Sequence, residues 1–156
     1  MAGTQGTVVV FDNYLENVWD SGIHDFGASP NAIKCAIVDA TITLATTTDD
    51  PHWNGTGTTN LQANEQTGGS FTAGGNTCAT ATATLNAGTL EVDFGDPATW
   101  SQNAGNPTTC DYGVIYDDTV ASKKCIGYVE LGTQFNATTG DLTITWGAPF
   151  HTVNQA

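Results

Sequence analysis

Arginine is absent from this sequence, and lysine occurs only at Lys34, Lys123 and Lys124. Proteins that grip nucleic acid neutralise backbone phosphates with Lys and Arg and release counterions. Three lysines cannot build such a patch, so nucleic acid is not an expected partner, and neither is an anionic membrane surface. Against these stand sixteen acids, giving a formal net charge of −13. An acidic coat suits a protein kept soluble at high copy number, although plain solubility accounts for it equally well. Charged residues are scarce overall, 12% against the roughly 25% of an ordinary soluble domain.

Long hydrophobic runs are also missing: no stretch approaches the ~20 apolar residues that span a bilayer as a helix. Met1-Ala2-Gly3-Thr4 carries neither a basic region nor a hydrophobic one, so the expectation is a product without a Sec signal, made in the cytoplasm. No Cys-x-x-Cys pair occurs among Cys35, Cys78, Cys110 and Cys125, and their wide spacing argues against structural zinc. Buried free thiols are the first expectation. Disulfides among the same four, with three pairings open, are the second.

The usual catalytic signatures are absent too. There is no Gly-x-Ser-x-Gly elbow, no phosphate-cradling loop ending in Lys, and no His-Glu-x-x-His helix. His24, His52 and His151 stand far apart. Asp49, Asp50, Glu65, Asp117 and Asp118 could supply a carboxylate pair for glycoside hydrolysis, but sixteen acids produce such pairings by chance. Asp49-Asp50 and Asp117-Asp118 are loop oxygens of the kind Ca²⁺ uses, without the spacing of an EF-hand. They read as solvated turn residues. The expectation is a non-enzyme with no catalytic residue, cofactor or metal.

What is present is β-forming sequence. Residues 8–10 are three valines that read as a first strand or an N-terminal arm over 1–10. Phe11, Leu15, Val18 and Trp19 then fall at helical spacing and predict one short helix over 11–20, closed by Ser21-Gly22. Strands follow at 33–38, 40–44, 78–85, 89–94, 112–116, 126–131 and 142–146. The pairs 112–116 and 126–131 read as a hairpin. The Thr/Ala alternation of 78–85 reads as a low-bulk strand suited to close approach of another backbone. The fold class is therefore mainly β, one antiparallel sandwich or barrel-like domain over 11–156 with a short N-terminal helix. Trp19 and Trp146 read as core. Trp53 and Trp100, in loop contexts, are the only plausible sugar platforms.

Residues 46–75 form the longest stretch without periodicity, and loops this long in compact domains usually have a purpose. Contact with a neighbouring subunit is one. Asp49, Asp50, His52, Trp53, Asn64, Glu65 and Phe71 are the candidate contact residues.

The order of short motifs carries further meaning. Ile33-Lys34-Cys35-Ala36-Ile37-Val38, Asp49-Asp50-Pro51-His52-Trp53, Ala63-Asn64-Glu65 and Phe71-Thr72-Ala73-Gly74-Gly75 come in turn. Tyr112-Gly113-Val114-Ile115-Tyr116-Asp117-Asp118, Ile126-Gly127-Tyr128-Val129-Glu130-Leu131-Gly132 and Gly140-Asp141-Leu142-Thr143-Ile144-Thr145-Trp146 follow. The series, over roughly residues 10–147, resembles a family of small virion proteins of tailed bacteriophages. The four cysteines depart from that pattern, standing where apolar or small residues are usual. The resemblance implies a structural particle component without a catalytic site.

A small, acidic β domain further suits capsid decoration: many copies cementing the outside of the shell, bound to the major capsid protein, as trimers at three-fold positions. Assembly would take place in the host cytoplasm. A tail or vertex appendage with a carbohydrate- or receptor-binding role is the alternative, and a free carbohydrate-binding module the third reading.

Overall fold

The computed structural model describes residues 6–18, 23–26, 32–79 and 81–154. Among the described residues the protein is mainly β, with antiparallel main sheets, a two-residue parallel pair and one short α-helix in a sandwich-like arrangement, and it is not a closed barrel. Strand β1 (Val8–Val10) leads into α1 (Asp12–Glu16) and then β2 (Ile33–Val38). The middle of the chain supplies β3 (Pro51–His52), β4 (Thr59–Asn60), a 3-10 turn (Leu61–Asn64) and β5 (Asn76–Thr77). Then come β6 (Thr82–Asn86), β7 (Thr89–Asp93), β8 (Cys110–Asp117), β9 (Cys125–Phe135) and β10 (His151–Asn154).

The main sheet has five antiparallel strands in the order β1-β9-β8-β2-β5. Its centre is β2, β8 and β9, whose near-continuous apolar runs are buried on both faces, as central strands covered on two sides must be. Register sorts the residues by face. Ile37, Gly113 and Val129 align on one side, Ala36, Val114 and Tyr128 on the other.

Each face has its own cover. Ile144 lies over Gly113, where even a methyl group would meet its Cδ1 at 2.6 Å. Phe26 and Phe94 stack on the same side, near His24. On the opposite face Phe11 packs on Tyr128 and Trp53 stacks on Tyr116, ring centroids 5.3 and 5.0 Å apart. The second sheet, β10-β7-β6, extends from the core through Val92 and Phe94.

Several expected elements differ. The helix buries Tyr14, with Phe11 buried just ahead of it, whereas Leu15 is 40% exposed, and Trp19 through Gly22 lie outside the described residues. Residues 40–44 do not form a strand. Asp39 Oδ1 accepts the Thr41 N–H and Asp111 Oδ2 the Ala40 N–H, turning the chain at the end of β2. Residues 142–146 bury Leu142 and Ile144 in alternation, and among the described residues the β-bridge of this segment is that of Leu142 with Trp100. Among the described residues the alternation goes with packing onto a sheet face, Ile144 lying against Gly113. The expected 78–85 strand is divided: Cys78 donates to Ile33 O beside β5, and β6 begins four residues later in the other sheet.

Candidate interaction face

The long middle segment is not loose. Its backbone is stitched to the β8–β9 connection, with Trp53 N donating to Lys123 O (2.8 Å) and Thr56 N to Ser122 O (3.2 Å). At its far end Gln66 N donates to Ile37 O and Asp39 N to Asn64 O, tying the segment to β2. The apolar side chains then drive inward: Trp53, Leu61 and Phe71 are all buried. Phe71 stacks on Trp100 at 5.7 Å. Beside it, buried Asn106 is fully engaged, accepting from Ser70 N and donating to Ser101 O and Ala137 O.

Three of the seven expected contact residues are thus interior. His52, Trp53 and Phe71 are 6%, 2% and 3% exposed: His52 lies in the short pair of Pro51-His52 with Thr59-Asn60, Trp53 stacks on Tyr116 and Phe71 on Trp100. They hold the surface in place and do not form it. Trp100 is likewise interior, so neither loop tryptophan offers an open ring to a sugar. Asp49 is exposed, and Asp50, Asn64 and Glu65 are half-buried.

These polar groups are locked by specific partners. Asp50 sits at φ 40° and its carboxylate pairs with the Lys124 ammonium. His52 Nδ1 accepts the Gly55 N–H (3.0 Å), which places its ring proton on Nε2. Burial, and next the neighbouring Lys124, hold the imidazole below its ordinary pKa, with Asp50 opposing. Glu65 accepts the Gly74 N–H. Burial raises its pKa and that hydrogen bond opposes the rise.

Two groupings were not visible in the sequence. Lys34 and Lys123 converge on Asp118 at 2.8 and 2.6 Å, beside a cavity of ≈ 240 Å³ lined also by Trp53, Gly74 and Tyr116. With Lys124 on Asp50 next to it, every cation of the side chains gathers in one corner. Burial acts to raise the Asp118 pKa, but the two lysines prevail and hold it low. On the other face, His24 Nδ1 lies 3.0 Å from Asp117 Oδ2, both side chains fully buried, and Asp117 Oδ1 accepts the Thr119 N–H. Register explains part of the first: Lys34 pairs with Tyr116, and Asp118, two residues further on, lies diagonally within its reach, whereas His24 reaches Asp117 from a segment outside the sheets. A pairing across more than eighty residues leaves no local motif.

Of the acids with calcium- or glycosidase-like placement, Asp50, Glu65, Asp117 and Asp118 are engaged within the chain. Among the described residues no group of three His, Cys, Asp or Glu side chains converges on a metal-sized site. Cys35, Cys78, Cys110 and Cys125 are free, buried thiols. Burial, and next Asp96, pushes Cys78 up to about 12; burial, and next Asp111, pushes Cys110 up to about 12. No family model matches the chain, and no curated protein or solved structure matches it either.

Proposed function

We propose that this protein is a non-enzymatic structural component of a tailed-bacteriophage virion, a decoration protein that binds the major capsid protein on the outside of the shell. The observation that supports the reading is the construction of residues 46–75. A long, turn-rich segment is anchored by three buried apolar side chains and cross-bonded to β2 and the β8–β9 connection, so its outer surface is preformed. A rigid polar face binds without the ordering penalty of a flexible loop, and this matters when the same contact is repeated many times. Attachment as trimers at three-fold positions would multiply that contact.

Gradient-purified particles of the phage that encodes the chain test this by copy number against the major shell protein. On the order of hundreds of copies per particle is the expected result. A few dozen would move the protein to the tail or a vertex and make receptor binding the next question. Absence from the particle would overturn both.

A further inference from the structure

We infer that β6 is a docking edge for a second copy of this chain, which pairs with it antiparallel about a two-fold axis at Thr84. Strand β6 ends the three-stranded sheet, and all five of its residues are exposed. Leu85 is 73% exposed, the largest exposure of any large apolar side chain among the described residues. Native sheets usually blunt such an edge with Lys, Pro, a bulge or a covering loop. Thr82-Ala83-Thr84-Leu85-Asn86 contains no Lys, Pro or bulge and no charge at all, in a chain of net charge −13, and among the described residues no strand pairs with its outer edge.

The backbone is ready for the partner. Asn86 and Thr89 flank a two-residue turn, Ala87 at φ 48° and Gly88 at φ 88°, the primed geometry of a tight hairpin. In that geometry Asn86 exchanges both bonds with Thr89, so Thr82 and Thr84 also face β7. The N–H and C=O of Ala83 and Leu85 then point outward. With Thr84 on the axis, Ala83 of each copy exchanges both backbone bonds with Leu85 of the other.

The side chains fit the same register. Small Ala83 meets large Leu85, Thr84 meets Thr84, and Thr82 meets Asn86, so every pair is size- or polarity-matched. On one face the row Leu85–Leu90–Val153 runs across the three strands. Pairing continues it into the partner's Ala83–Val92 row, and one apolar stripe then crosses the axis. The acids nearest the edge, Glu91 and Asp93, lie on β7. The two β7 strands would stand three strand spacings apart, about 14 Å, beyond the ~8 Å screening length of physiological salt. A second copy can therefore approach this edge without bringing carboxylates together. Such a two-fold contact is distinct from a three-fold ring and could only join neighbouring rings.

Sedimentation of the purified chain over a micromolar to millimolar range should show a reversible monomer–dimer equilibrium. Leu85→Lys should raise its dissociation constant roughly tenfold or more with an unchanged melting temperature. Thr84→Cys should yield a disulfide-linked dimer on mild oxidation, because a directly opposed, non-hydrogen-bonded pair has the required Cα separation. Thr82→Cys should not. A chain that stays monomeric throughout would overturn the proposal, leaving the edge to a strand of some other protein. A trimer unaffected by Leu85→Lys, or cross-linking through Thr82→Cys alone, would overturn it as well.

Discussion

Gly75 shows how much a single position can decide. It sits at φ 69°, where L side chains are strained, and a Cβ there would lie 2.0 Å from the Cys35 carbonyl oxygen in β2. Backbone cannot move aside as a side-chain end can. Gly75→Ala should therefore destabilise the protein by about 2 kcal/mol or more, read as a lowered urea midpoint. Gly113 tests the other kind of close approach. Its φ is ordinary and its first neighbour is the far end of Ile144, so Gly113→Ala should cost about 1–3 kcal/mol as an overpacking effect. A Gly75→Ala midpoint equal to that of the parent would refute the first prediction. The thiols make a further prediction at this scale. A thiolate is the reactive form, and all four sulfurs are buried with raised pKa values. A thiol reagent at neutral pH should modify none in the native state and four after denaturation. Rapid native labelling of any one would contradict the buried assignment. His24 and Asp117 form a fully buried hydrogen bond at 3.0 Å, and losing one member leaves a cavity and removes a buried polar partner. His24→Ala should lower the urea midpoint, at a cost of about 1–3 kcal/mol.

Elements respond to pH through the groups that tie them together. His52 fastens β3 to its loop, and His151 opens β10 against the Tyr14 ring. Burial holds both imidazoles below the ordinary 6.5. The unfolded chain therefore binds more protons as pH falls through 6.5, and stability drops progressively toward the lower folded values. Asp118 acts in a lower window: its pKa is held below 3.8, so its contribution persists above that pH and fades as pH falls below it. Glu65, raised above 4.5 by burial, works in the opposite direction, favouring the fold at low pH. Urea midpoints at about pH 7.5 and about pH 5.5 should therefore differ, the lower pH being weaker, and His151→Phe should narrow the gap. Equal midpoints would count against both histidine assignments. The same elements mark what could be read from sequence. Strands β2, β8 and β9 and their antiparallel hairpin were legible because β-branched and aromatic runs bury both faces of a central strand. Residues 142–146 misled because a segment laid across a sheet alternates its burial just as a strand does. Asp50, Asn64 and Glu65 were legible as loop polar groups, whereas the inward turn of Trp53 and Phe71 depends on tertiary stacking against Tyr116 and Trp100. The lysine corner and the His24–Asp117 pair arise from contacts between segments more than eighty residues apart, Lys34 with Asp118 and His24 with Asp117, which no spacing along the chain encodes.

At the scale of the whole molecule the governing quantity is a net charge of −13 with every lysine confined to one corner. Two such bodies repel over a distance set by the Debye length, about 30 Å at 0.01 M salt and about 8 Å at 0.15 M. Association through β6 brings together an uncharged strand, backbone hydrogen bonds and an apolar stripe, none of which salt weakens. Its opposition is the long-range repulsion alone, and screening removes that. Self-association should therefore tighten as salt rises from about 0.01 to about 0.15 M. Association through the lysine corner has the opposite sign. There Lys34, Lys123 and Lys124 would exchange their present carboxylate partners for those of a neighbour, and the attraction would be screened along with everything else. Sedimentation at the two salt concentrations separates these cases with the unmodified chain. A dimer that weakens with salt would move the contact from the neutral edge to the charged corner.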